Sequence, residues 1–125
     1  MKANELRIGN LVRRVKTGEV MSVLAVDIST INQGGLAVEG IPLTEEWLKK
    51  FGFVHKTDDL GIKSEYEEFE WVYTNGQVLV AKAAGSDTIL VFPEELFGFS
   101  VTVEYIHQLQ NLYFALTGTE LEIKP

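Results

Sequence analysis

Along this chain the spacing of apolar positions switches between about two residues and about four, and each switch marks an element. Leu11-Val12-Arg13-Arg14-Val15 is rich in β-formers and follows a turn signal at Ile8-Gly9-Asn10, so it predicts a strand. Thr17-Gly18 offers a tight turn into Val20-Met21-Ser22-Val23-Leu24-Ala25-Val26, a nearly continuous apolar run of the kind shown by a strand covered on both faces. Together the two runs predict a hairpin. Asp27, Ser29, Asn32 and Gly34-Gly35 then read as repeated turns, ahead of a short strand at Leu36-Ala37-Val38.

From Thr44 the pattern becomes helical. Thr44 is an N-cap hydroxyl, Glu45 and Glu46 are first-turn acids, Lys49 and Lys50 are last-turn cations, and Gly52 follows. A short helix over about 44–51 is expected, with Trp47, Leu48 and Phe51 on its apolar side. Phe69-Glu70-Trp71-Val72-Tyr73-Thr74-Asn75-Gly76-Gln77-Val78-Leu79-Val80 alternates on both sides of Asn-Gly, the signature of a two-residue type I′ hairpin. That register would pair Tyr73 with Val78 and Trp71 with Val80. It would also place Phe69, Trp71 and Tyr73 on one core face, with Glu70 and Val72 on the other. Gly85-Ser86-Asp87 turns into Thr88-Ile89-Leu90-Val91-Phe92, giving a three-stranded meander over about 66–92 that Pro93 ends. The last element is an amphipathic helix over about 104–117, closed by Gly118. Its apolar stripe is Tyr105, Leu109, Leu112 and Leu116, with Ile106 and Tyr113 beside it.

The expected class is therefore α+β with mainly antiparallel strands. The Gly-Asn-Leu-Val opening and the hairpin after it resemble the first strands of SH3-like barrels, so the N-terminal part is expected as a small barrel or curled sheet; one sheet continuous across the chain is the alternative. With 125 residues, 46% of them hydrophobic and 23% charged, residues 1–125 are expected to form one domain that folds without staples. The absence of cysteine excludes disulfides, thiolate metal sites and cysteine nucleophiles. Met1-Lys2-Ala3-Asn4-Glu5-Leu6-Arg7 has no apolar signal core and no apolar run is long enough to span a bilayer, so a cytoplasmic, non-membrane location is expected.

Charge is unevenly distributed. Residues 1–16 hold Lys2, Arg7, Arg13, Arg14 and Lys16 against Glu5, a balance of +4, so the remainder accounts for -11 of the net -7. Asp58, Asp59, Glu65, Glu67, Glu68 and Glu70 concentrate the negative charge. Arg7, Arg13, Arg14 and Lys16 are candidate nucleic-acid contacts, although adjacent strand residues such as Arg13 and Arg14 point to opposite faces. On the last helix, Glu104, His107, Gln108, Gln110 and Asn111 read as one polar face, a candidate partner-binding surface. Phe97-Gly98-Phe99 and the acidic stretch 58–70 are two more. Glu104 and His107 have the Glu-x-x-His spacing of di-iron carboxylate proteins, but only one such pair occurs where the chemistry needs two. Glu45-Glu46, Glu67-Glu68 and Glu94-Glu95 are adjacent pairs, which does not supply the separation of about 5–10 Å that glycosidases need. Asn32-Gln33-Gly34-Gly35 lacks the spacing and lysine of a phosphate loop. No cofactor, metal or catalytic activity is expected. A non-enzymatic adaptor with a protein partner is the leading expectation, and a nucleic-acid module the runner-up.

Three stretches resemble a family of small uncharacterised proteins of phages and prophages of Bacteroidetes-type gut bacteria: residues 5–12, residues 40–53 and the block Ile106-His107-Gln108-Leu109-Gln110-Asn111-Leu112-Tyr113-Phe114-Ala115-Leu116-Thr117-Gly118. The resemblance implies a mobile-element context and carries no catalytic residue.

Overall fold

A computed structural model describes residues 6–55, 69–93 and 100–124. In chain order the elements are β1 (Leu11–Arg14), β2 (Val20–Ser22), α1 (Ala25–Asn32), β3 (Val38–Glu39), α2 (Glu45–Lys50), β4 (Val54–His55), β5 (Phe69–Thr74), β6 (Val78–Ala83), β7 (Ile89–Pro93), β8 (Val101–Val103) and α3 (Ile106–Thr117). The strands form two sheets, ordered β2-β1-β3 and β4-β5-β6-β7-β8, and every strand pairing is antiparallel. The α+β class is as patterning predicts. Of the two N-terminal forms expected, a small sheet is found: among the described residues these strands make a three-stranded sheet with no closed barrel, separate from the second sheet and not continuous with it.

The hairpin of β1 and β2 forms, with Val12 opposite Met21. Its second strand ends at Ser22, four residues before the apolar run does, because a helix begins. Asp27 Oδ2 accepts from the Leu24 backbone N–H at 2.9 Å, so an acid at the third helical position fastens the chain just ahead of the first turn. Asp27, Ser29 and Asn32, expected in turns, are thus helical. Val23 and Ile31 close a small core with Leu6, Val12 and Val38, the last of these in the strand expected at 36–38 and found at Val38–Glu39.

The second sheet is larger than the expected meander, because β4 and β8 flank it. Residues 66–68 of that expectation lie outside the described residues. Its hairpin is displaced by two positions, with Tyr73 opposite Val80 and Thr74 opposite Leu79. Among the described residues none but glycine has positive φ, so Asn75 does not adopt a type I′ turn. Instead its Oδ1 accepts from the Gln77 and Val78 backbone at 3.0 and 3.2 Å, a side-chain-built turn that leaves four residues between the last paired positions, Thr74 and Leu79. A bulge between Phe69 and Trp71 then reverses the alternation. Phe69 therefore joins Val72, Leu79, Ala81 and Phe92 on one face, opposite Trp71 and Tyr73.

The main core lies on the Tyr73 face. Leu48 of α2, Phe51 just after it, and Ile106, Leu109 and Tyr113 of α3 pack there on Tyr73, Val78, Val80 and Val91. Thr44 caps α2 as expected, its hydroxyl accepting from the Trp47 N–H at 3.4 Å. Gly118 ends α3 as expected, at φ 74° in the left-handed conformation. The expected stripe is rotated, however: Leu116 is exposed and Leu112 half-buried, while His107 and Gln110 are buried.

Candidate functional site

The residues expected on the polar face of α3 divide between interior and surface. Gln110 is 3% exposed and behaves as a length of β-strand: its Oε1 accepts from the Leu11 N–H at 2.8 Å, and its Nε2 donates to Gly9 O and Leu121 O, each at 3.4 Å. Asn10, 1% exposed, donates to Asn111 Oδ1 at 2.8 Å. His107 is buried and stacked on Tyr105, with ring centroids 5.8 Å apart. Gln108 Oε1 accepts from the backbone of Glu104 and Tyr105 at 2.8 and 3.0 Å, closing the start of the helix. Glu104 alone of the five is exposed. The polar face is thus largely internal: it joins α3 to β1 and to the C-terminal segment.

The basic residues divide in a similar way between contacts within the chain and the surface. Arg7 donates to Asn111 Oδ1 at 3.2 Å, forms an ion pair with Glu120, and lays its guanidinium 4.2 Å from the centroid of the Phe114 ring. Arg13 pairs with Glu39 at 2.7 Å across the β1–β3 ladder. Arg14 and Lys16 are exposed at the hairpin end. Two of the four candidate cations are therefore committed to carboxylates of the same chain.

Sequence reasoning missed a groove over the Tyr73 face, about 410 Å³ in volume. Pro42, Leu43, Thr44 and Glu45 line one side, ahead of and into α2. Glu70 and Trp71 of β5, Lys82 of β6 and Ile89 of β7 contribute from the sheet, while Asp87 and Glu104 reach it from the β6–β7 turn and the approach to α3. A second concavity of about 660 Å³ shares Asp87, Ile89 and Glu104, and extends to Thr102, Val103 and Gln108. The groove exists because residues 41–43 run beside 104–106: Leu43 N donates to Glu104 O at 3.1 Å, Ile106 N donates to Ile41 O at 2.9 Å, and Pro42 bridges to Tyr105. No spacing within one segment could reveal a surface assembled from five.

Its lining combines an apolar floor with a charged rim. Leu43 and Ile89 are buried and Trp71 is half-buried, edge-on to Tyr73 at 5.5 Å between centroids. Lys82 Nζ lies 2.6 Å from Glu70 Oε2. Burial pushes the Tyr73 phenol above its ordinary pKa, Glu45 pushes it further and Lys49 opposes them. This hydroxyl stays protonated at neutral pH. Glu70, Asp87 and Glu104 are exposed. Among the described residues no three His, Asp or Glu side chains gather as a metal cluster. The expected surfaces at Phe97-Gly98-Phe99 and at residues 58–68 lie outside the described residues.

No protein-family model matches the chain, and neither a curated protein nor a solved structure matches it significantly. Among the described residues, no helix is long and apolar enough to cross a membrane.

Proposed function

We propose that this chain is a non-enzymatic accessory or adaptor protein of a phage or other mobile element, acting in the cytoplasm through protein–protein contacts at the groove over Trp71. The observation that supports this reading is the groove's composition: a partly accessible tryptophan on an aliphatic floor, ringed by charged side chains. Protein interfaces concentrate their binding energy in such an arrangement, with an aromatic anchor at the centre and a polar rim that sets orientation. The mobile-element context rests on the resemblance of residues 5–12, 40–53 and 106–118 to small phage proteins.

A photo-crosslinking residue at Thr102, exposed beside the groove, tests the reading against the same residue at exposed Ser29 on α1. In extracts of the host cell the Thr102 position is expected to give a discrete adduct that the Ser29 position does not. Identical adducts from both positions, or none from either, would remove the groove as the working surface.

A further inference from the structure

We infer that the groove takes a basic peptide segment of a partner protein, laying the stem of a lysine or arginine over Trp71, Leu43 and Ile89 and its cation against Asp87 and Glu104. The inference rests on the docking reading above and supplies the partner's chemistry.

Shape and charge both select this ligand. The lining holds Glu45, Glu70, Asp87 and Glu104 against Lys82, a formal charge of -3, and Lys82 is already spent on Glu70. These acids come from four separate segments and do not gather as a point-ion site, which favours an extended cation over a metal. A long basic side chain matches such a surface because its aliphatic stem prefers apolar contact while its head stays polar. Trp71 adds a ring face for the cation. The whole chain carries -7, so its long-range field draws in a basic partner and repels nucleic acid or an anionic membrane. That same field works against a second copy of this chain, even though Arg14 and Lys16 are exposed on it.

The test uses the full chain and two labelled, end-capped pentapeptides, Lys-Leu-Lys-Leu-Lys and Glu-Leu-Glu-Leu-Glu, followed by fluorescence anisotropy at low salt. The lysine peptide is expected to bind and the glutamate peptide not. Asp87→Lys with Glu104→Lys should weaken binding about tenfold, as two exposed charge reversals would, with an unchanged melting midpoint because both side chains face solvent. Arg14→Glu should leave binding unchanged. Equal binding of the two peptides, or binding indifferent to the double variant, overturns the inference. So does sedimentation showing self-association that the double variant abolishes, since the occupant would then be another copy. A Thr102 adduct without lysine-peptide binding would sink the basic chemistry and keep the docking reading; loss of both would sink both.

Discussion

Gly40 faces the ring of Tyr105 so closely that a β-carbon on Gly40 would stand 2.6 Å from Tyr105 Cγ and 2.7 Å from Cδ1. The contact lies at the root of the ring, where the side chain cannot swing aside without moving the extended residue that precedes α3. Gly40→Ala should therefore destabilise the fold by about 1–3 kcal/mol, the usual cost of overpacking. Tyr105→Ala in the same chain should recover part of that loss. Urea unfolding of the two single variants and the double variant would show the coupling; strictly additive losses would mean the contact is not the cause.

The Gln110 carboxamide stands in for a strand, so its removal should cost more than a single surface hydrogen bond. Gln110→Leu keeps the size but leaves the part-buried Leu11 N–H and the buried Leu121 carbonyl without their partner. We expect a loss of about 1–3 kcal/mol, most of it the penalty for those groups. Asn10→Ala should give a similar loss, and the two together less than their sum, because both belong to one network. Calorimetric midpoints would decide it.

What was legible in the sequence is what neighbours in the chain decide. Thr44 and Gly118 end their helices as their residue types require, and the Thr17-Gly18 turn joins the two strands it separates. What was not legible depends on distant partners. Asn75 builds its own turn, and its Nδ2 donates to the Tyr113 hydroxyl at 2.9 Å while that hydroxyl donates to Gln77 Oε1 at 2.6 Å. Helix α3 thus grips the hairpin tip in the displaced register. Gln110 looks like a surface residue until β1 lies beside it, and the bulge that turns Phe69 to the other face changes no local propensity. The groove was hidden for the same reason. Its carboxylates look like isolated surface acids, and only the tertiary fold assembles them around Trp71.

The rotated stripe of α3 makes a direct contrast between two leucines. Leu109 is fully buried in the main core, whereas Leu116 is 37% exposed. Leu109→Ala should cost about 2–5 kcal/mol and Leu116→Ala under about 1 kcal/mol, since only the first leaves a cavity. Equal losses from chemical denaturation would restore the stripe that the sequence suggests.

Tyr73 should make the fold sensitive to alkali. Its folded pKa lies above the unfolded value of about 10, chiefly because burial disfavours phenolate. Below the unfolded pKa both states hold the proton and stability does not vary with this group. As pH rises above it, the unfolded chain releases the proton first, so stability falls until the folded pKa is passed. Tyr73→Phe should flatten that alkaline decline, at a cost of about 1 kcal/mol near neutral pH from the lost hydroxyl contacts. Urea midpoints between about pH 8 and 11 would test it; an identical decline in the variant would place the titrating group elsewhere.

The last prediction concerns nucleic acid, which the basic N-terminal residues invite. A groove formed by Arg7, Arg13, Arg14 and Lys16 would neutralise about three or four phosphates, and log affinity for duplex DNA would then fall against log salt with a slope near -3. Arg7 is instead held by Asn111, Glu120 and Phe114, and Arg13 by Glu39, so using either for phosphate would mean first breaking a contact within the chain. Arg14 and Lys16 by themselves supply a slope no steeper than about -2 and must act against the -11 carried by residues 17–125. We expect no micromolar binding at physiological salt, and Arg7→Ala should lower the melting midpoint without altering whatever weak binding appears at low salt. Tight binding with the steeper slope, lost on Arg13→Glu with Arg14→Glu, would show that the two ion pairs open for phosphate and would put nucleic acid ahead of a protein partner.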